Sequence, residues 1–227
     1  MEFSWSTLII IILVIIIVYF VWTMIDSSSS TIVSPSQDAK TQTSISIPDK
    51  SYSFALSTWI YVNDWESTPG KKTIISSEPD GSKNTPNLLI SLGENNNTLD
   101  VDLKNSGTTI PPVQDIPLQT SVSIILNFNN GNSIDIYVNG KLVQTSAFTN
   151  TWSLNNGSLY IGSKNGFGGY ITMATFHKAP LGPQDAWDIY SSGDGGSAGN
   201  SVSDFFNKYK IRFAFVKDNV ELSRLDV

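Results

Sequence analysis

The chain has 227 residues, enough for one domain and a short appendage, and is 40% hydrophobic, 11% aromatic and 15% charged. With no Cys and one His, it excludes disulfides, thiolate nucleophiles, Cys-based zinc sites, iron–sulfur clusters and multi-His metal centres. A formal net charge of −6 argues against a nucleic-acid partner held by phosphate neutralisation.

Residues 3–25 carry no formal charge. As a helix at about 1.5 Å per residue, Leu8–Ile25 covers most of a hydrocarbon core about 30 Å thick. The pattern predicts a single transmembrane helix over residues 1–25, with Leu8, Ile12 and Ile16 in the apolar run and Tyr19 and Trp22 toward one interface. A cleaved signal fits less well, because no Lys or Arg precedes the run and it exceeds an ordinary signal core. Membrane orientation stays open, since the first Lys is Lys40. Residues 26–43, DSSSSTIVSPSQDAKTQT, lack periodicity and read as a Ser-rich flexible tether.

Beyond residue 43 the pattern is β throughout. Strands are expected at Ser44–Ile47, Tyr52–Val62, Lys72–Ser77, Asn87–Leu92, Leu99–Lys104, Ser121–Phe128, Ser133–Val138, Lys141–Ala147, Ser158–Gly162, Gly169–His177 and Lys210–Val216. Ile134, Ile136 and Val138 share one face, Asn139-Gly140 supplies a two-residue turn, and Lys141–Ala147 returns as a hairpin. Asn- and Gly-rich segments at 79–82, 94–97, 129–132 and 155–157 carry turn chemistry. The only soluble helix expected is Pro183–Tyr190, with Pro183 in its first turn. This describes an all-β, two-sheet antiparallel jelly-roll sandwich with one short helix over residues 44–216, followed by a tail at 217–227.

The segments YSFALSTWIYVND (52–64), SIDIYVNGKLV (133–143), GSLYIG (157–162) and GFGGYITMATFHKAPLGPQDAWDIYSSG (166–193) resemble the laminin-G-like jelly roll of the concanavalin A-like lectins and glucanases. The resemblance implies a sandwich core that includes Trp59. Together with the anchor, the run Trp59–Trp65, Pro117–Gln119 and the tail segment 206–212, the chain resembles minor capsid or internal-membrane proteins of large DNA viruses of algae and amoebae. That likeness implies a minor capsid protein, single-pass in the virion's internal membrane beneath the capsid, with the bilayer and capsid proteins as partners. The alternative from another class is a membrane-anchored, lectin-like attachment protein.

Family members that cleave glucans carry Glu-x-Asp-x-x-Glu on one strand. The nearest segment here has Asp100, Asp102 and Asn105, and the amide at the third position cannot transfer a proton. No GxSxG elbow accompanies His177, and HExxH, GxxxxGK[ST] and GxGxxG are absent, so no enzyme and no cofactor are expected. Asp64, Glu66, Asp100 and Asp102 are oxygen donors weighed for Ca²⁺, without the spacing of a loop site. Trp65, Trp152 and Tyr170 are the candidate sugar-stacking residues, while Trp59 and Trp187 read as core. Asn96 and Asn156 head glycosylation sequons. In the closing segment Lys208, Lys210, Arg212 and Lys217 concentrate positive charge, a candidate docking strip for an acidic protein or lipid headgroups.

Overall fold

The alternating stretches become two packed antiparallel sheets in the computed structural model, which describes residues 12–17, 29–32, 36–47, 49–65, 69–77, 85–194, 212–217 and 220–226. The larger sheet has seven strands. Its path runs β1 (Ser29–Thr31), β12 (Gly168–His177), β4 (Phe54–Asp64), β8 (Ser121–Asn129), β9 (Ser133–Val138), β10 (Lys141–Ala147), with β2 (Gln37–Asp38) also on β12. The smaller sheet runs β3 (Thr43–Ile47), β11 (Gly157–Ile161), β5 (Lys72–Ser77), β6 (Leu88–Leu92), β7 (Leu99–Leu103). One short helix, α1 (Pro183–Ser191), follows β12.

Period-two alternation decides what each strand buries. Phe54, Leu56, Ile60 and Val62 of β4 face the smaller sheet with Ile124, Leu126 and Phe128 of β8, and meet Ile90, Leu92, Leu99, Val101 and Leu159. On the opposite face of the larger sheet, Ile125 and Tyr137 pack on Ala186 of α1. β4 and β8 are therefore buried on both faces. At one end of the interlayer Phe54 stacks on Phe128 with ring centroids 4.4 Å apart, and Trp152 stacks on Phe128 at 5.1 Å. Trp152 is 2% exposed, so this candidate sugar platform is a core residue.

Three further expectations change. The stretch 26–43 is not a free tether where it is described: Ser29, Ser30 and Thr31 pair with His177, Phe176 and Thr175, and Gln37–Asp38 pairs with Ile171 and Tyr170. The open edge of β12 needs backbone partners, which polar residues supply as well as apolar ones. The segment around Lys210–Val216 does not close the sandwich. β13 (Arg212–Lys217) pairs with β14 (Val220–Asp226) in a separate two-stranded sheet, so the expected tail contains a strand. Trp187 is 47% exposed rather than core.

Residues 12–17 are helical, with Ile12 and Ile16 about half exposed, whereas Leu8, Tyr19 and Trp22 lie outside the described residues. Among the described residues no helix is long and apolar enough to cross a membrane.

Trp152→Ala is expected to cost about 3–5 kcal/mol, the range for deleting a large buried aromatic. Urea unfolding of a chain truncated to residues 29–227 measures it; a loss below 1 kcal/mol would contradict the packing role.

Candidate functional site

The most suggestive concavity lies where three segments distant in sequence meet. Residues 113–117 of the β7–β8 connection, Val138–Val143 at the β9–β10 turn, and Trp187 with Tyr190 of α1 enclose about 440 Å³. Polar side chains on its wall are Gln114, Asp115, Asn139 and Lys141.

Local chemistry holds each wall. Asn139 and Gly140 have φ of 50° and 72°, the positive pair a tight hairpin turn requires. Asn139 Oδ1 accepts from Ser123 N at 3.0 Å, and Asn139 N donates to Ser123 O at 2.9 Å, which fixes the turn to β8. A Cβ on Gly140 would stand 3.0 Å from Tyr190 Cβ and 3.2 Å from Trp187 Cε3, so the turn approaches the helix as closely as it does only because residue 140 lacks a side chain. In the connection, buried Ile116 donates its N–H to Asn97 O at 2.8 Å and accepts from Asn97 Nδ2 at 3.0 Å. That anchorage leaves neighbouring Asp115 exposed at the cleft, with φ 58°.

The helix wall is built from the inside out. Pro183 opens α1, and Asp185 Oδ2 accepts from Gly182 N at 2.8 Å at its N-terminus. Tyr190 stacks on buried Trp59 with centroids 5.9 Å apart and meets Trp187 at 5.6 Å. The arrangement leaves a half-exposed indole at the lip, backed by ring contacts and flanked by hydrogen-bonding side chains. Such an array suits a ligand with both a flat apolar face and hydroxyl groups.

The three sugar-stacking candidates are not brought together. Trp152 is in the core. Trp65 packs against the core edge, and Lys72 Nζ sits 4.6 Å from its ring centroid, covering that face. Lys72 is itself 1% exposed and donates to Glu94 O at 3.0 Å and Gly70 O at 3.3 Å. Tyr170 is 52% exposed on β12, away from the cleft.

The acids are also dispersed. Asp100 and Asp102 lie on β7, and Lys71 Nζ bridges their carboxylates at 3.0 Å each. Partial burial pulls the Lys71 ammonium down, but the hydrogen bonds and charges of the two acids outweigh it and raise its pKa. Both carboxylates are therefore engaged by the same ammonium, which offsets one of their two charges and holds both to Lys71 instead of to a substrate. Asn105 sits beyond the strand at φ 68°, and Asp64 ends β4 in the other sheet. Glu66 lies outside the described residues. Among the described residues no three acids or histidines are grouped to hold a metal. A second concavity of about 340 Å³ beside β7 is lined by Pro86, Leu89, Asp102, Lys104 and Thr108 among others, and carries no aromatic platform.

His177 has a partner that the sequence did not reveal: its Nε2 is hydrogen-bonded to Ser57 Oγ at 2.8 Å. Ser57 is 4% exposed and lines neither of these two concavities. Of the docking candidates, Lys208 and Lys210 lie outside the described residues, while Arg212 and Lys217 stand at the two ends of β13, opposite Asp226 and Val220.

Burial pushes the His177 imidazole below its usual value, against an opposing pull from Asp185. A depressed folded-state value means that unfolded chains bind the proton first. The stability contributed by the neutral ring is present above about pH 6.5 and is lost as pH falls below it. Melting temperatures from pH 7.5 to 5.5 should therefore decline more steeply for the native chain than for His177→Gln; parallel profiles would contradict the linkage.

A family model described as the concanavalin A-like lectin/glucanases superfamily matches residues 34–186, well over half of the chain. No curated protein matches it. Several solved structures share the architecture. The binding domain of botulinum neurotoxin DC in complex with SialylT aligns with TM-score 0.54 and 18% identity, over 73% of this chain and 46% of that one. A structure described under "Cell entry of botulinum neurotoxin type C is dependent upon interaction with two ganglioside molecules" gives the same figures. The receptor binding domain of botulinum neurotoxin D aligns with TM-score 0.52 and 13% identity, over 74% of this chain and 48% of that one. The chain thus spans just under half the length of these structures, and at such identities the likeness is one of fold.

Proposed function

The chain belongs to the concanavalin A-like lectin/glucanase superfamily, and from that premise we propose that it is a membrane-anchored, non-catalytic recognition module whose cleft at Trp187 binds glycan. The observation that carries the reading is the half-exposed Trp187 backed by Tyr190 and Trp59 beside Gln114, Asp115, Asn139 and Lys141. A sugar offers C–H groups to an indole face and hydroxyls to amides, a carboxylate and an ammonium. Lys71 binding Asp100 and Asp102, with Asn105 outside the strand, favours binding over hydrolysis. Solved domains that share the sandwich are described with SialylT and with gangliosides, which is in keeping with a glycan ligand. The uncharged 3–25 stretch supports the anchor.

A glycan array probed with a 29–227 chain should give a saturable signal that Trp187→Ala weakens by about tenfold, the equivalent of about 1.4 kcal/mol lost with one aromatic contact. Asp115→Ala should weaken it too, whereas Tyr170→Ala should not. Binding indifferent to residue 187, or no saturable binding to any glycan, would overturn the proposal.

A second reading keeps the anchor and changes the ligand: a minor capsid protein of a large DNA virus, with the sandwich connecting the internal membrane to the capsid shell. The anchor, the virus-protein resemblance and basic Arg212 and Lys217 on the separate β13–β14 hairpin favour it. Under that reading, intact particles protect residues 44–227 from protease and shell removal exposes them. Digestion on intact particles would exclude it.

A further inference from the structure

We propose that the end of the sandwich where β1 begins lies against lipid headgroups, so that the Trp187 cleft is directed away from the bilayer. The inference rests on the anchor of the proposed function and adds an orientation to it.

The apolar stretch ends at Ile25, and Ser29 is already paired with His177. Four peptide steps reach at most about 14 Å when fully extended, so the sheet begins close to the membrane instead of at the end of a long tether. β1 and β10 are opposite ends of the larger sheet's path. At about 4.8 Å per strand, the five intervals between them amount to roughly 24 Å.

Register fixes the second dimension. Ser29–His177, His177–Ala55, Phe54–Phe128, Asn129–Ser133 and Ser133–Ala147 are pairs at one end of the sheet. Gly168–Asp64 and Tyr61–Ser121 are pairs at the other, and the row Thr58–Ile124–Val138–Lys141 crosses the sheet between the two ends. Ser29 is level with Ala55 and Val138 with Thr58, three residues further along β4, a distance of roughly 10 Å at about 3.3 Å per residue. The cleft residues Val138, Asn139 and Lys141 are thus displaced from Ser29 mainly across the sheet and by a shorter step along it, while the 113–117 wall runs on toward the far end, where Gln119 N donates to Val62 O.

The chemistry of the near end suits headgroups. Tyr52 is 44% exposed, Lys50 Nζ lies 5.2 Å from its ring centroid, and Tyr52 O accepts from Gly131 N of the β8–β9 turn. Lys178, exposed, follows β12 directly, and Asp49 is the exposed acid beside Lys50. Tyrosine with lysine is an interfacial combination: the ring tolerates the boundary and the ammonium meets phosphate.

Because the chain has no Cys, a single introduced thiol reports one place. The chain carrying Asp49→Cys or Lys178→Cys at the near end, Leu118→Cys at the far end, or Lys141→Cys at the cleft is labelled with a fluorophore. It is then inserted into phosphatidylcholine vesicles containing headgroup-quencher lipid. Quenching should be several-fold stronger at 49 and 178 than at 118 and 141. Equal quenching, or stronger quenching at 118 and 141, overturns the orientation. Vesicle flotation separates the causes: a chain that floats with position 118 or 141 quenched as strongly as 49 and 178 defeats the orientation alone, whereas a chain that does not float defeats the anchor and this inference together.

Discussion

Burial of β4 and β8 on both faces is the constraint from which the rest follows. One face is covered by the smaller sheet, through contacts such as those of Leu56, Ile60 and Leu126 within the main core. The other needs a separate cover, because Ile125, Tyr137 and Trp59 project there. Helix α1 supplies it with Ala186 and Tyr190, and the same helix carries Trp187 to the lip of the cleft. The candidate site is thus a by-product of sealing the sheet: the elements that exclude water from Trp59 also hold the indole that meets solvent. This economy explains why Gly140 matters out of proportion to its size. It lets the hairpin turn close against the helix, joining the walls of the cleft.

Much of the fold was legible because its signals are local. The pairing of Ser133–Val138 with Lys141–Ala147 through Asn139-Gly140 is observed with the expected bounds, since alternation and turn chemistry agree over adjacent residues. Helix Pro183–Ser191 exceeds its expected span by one residue. Strand β1 was hidden because pairing at an edge is decided by a vacant neighbour, β12, almost 150 residues away. The strand expected at Lys210–Val216 within the sandwich is instead Arg212–Lys217, which pairs with its own neighbour Val220–Asp226 in a separate sheet, while the N-terminal segment takes the edge beside β12.

The site was far less legible. Each of its three segments is bland alone, and only tertiary folding joins 113–117 to the hairpin and α1. Trp187 read as core because it neighbours Ala186 and lies three residues before Tyr190. At about 100° per residue, however, adjacent positions diverge, and Ala186 takes the buried direction. Trp152 misled in the opposite sense, since a Trp in a polar stretch gives no sign of the Phe54–Phe128 stack waiting for it. Lys72 is subtler still. Its alternation marks a strand correctly, yet only the structure shows that its ammonium turns inward to two carbonyls and an indole, withdrawing Trp65 from use.

The short pairing of β1 with β12 gives the molecule a mechanical character. Tension drawn through the N-terminal side reaches first a three-residue edge strand and then the two-residue β2, well before the five-residue β3. In β2 Gln37 is partly buried and Asp38 exposed. Residues 29–38 amount to about 33–36 Å of extended chain, and fully buried Ala39, next in line, is where this edge is locked into the main core. A load on the N-terminal side would therefore be absorbed as added reach up to Ala39 before it could distort the cleft, making the edge a sacrificial, rewindable strip of the domain.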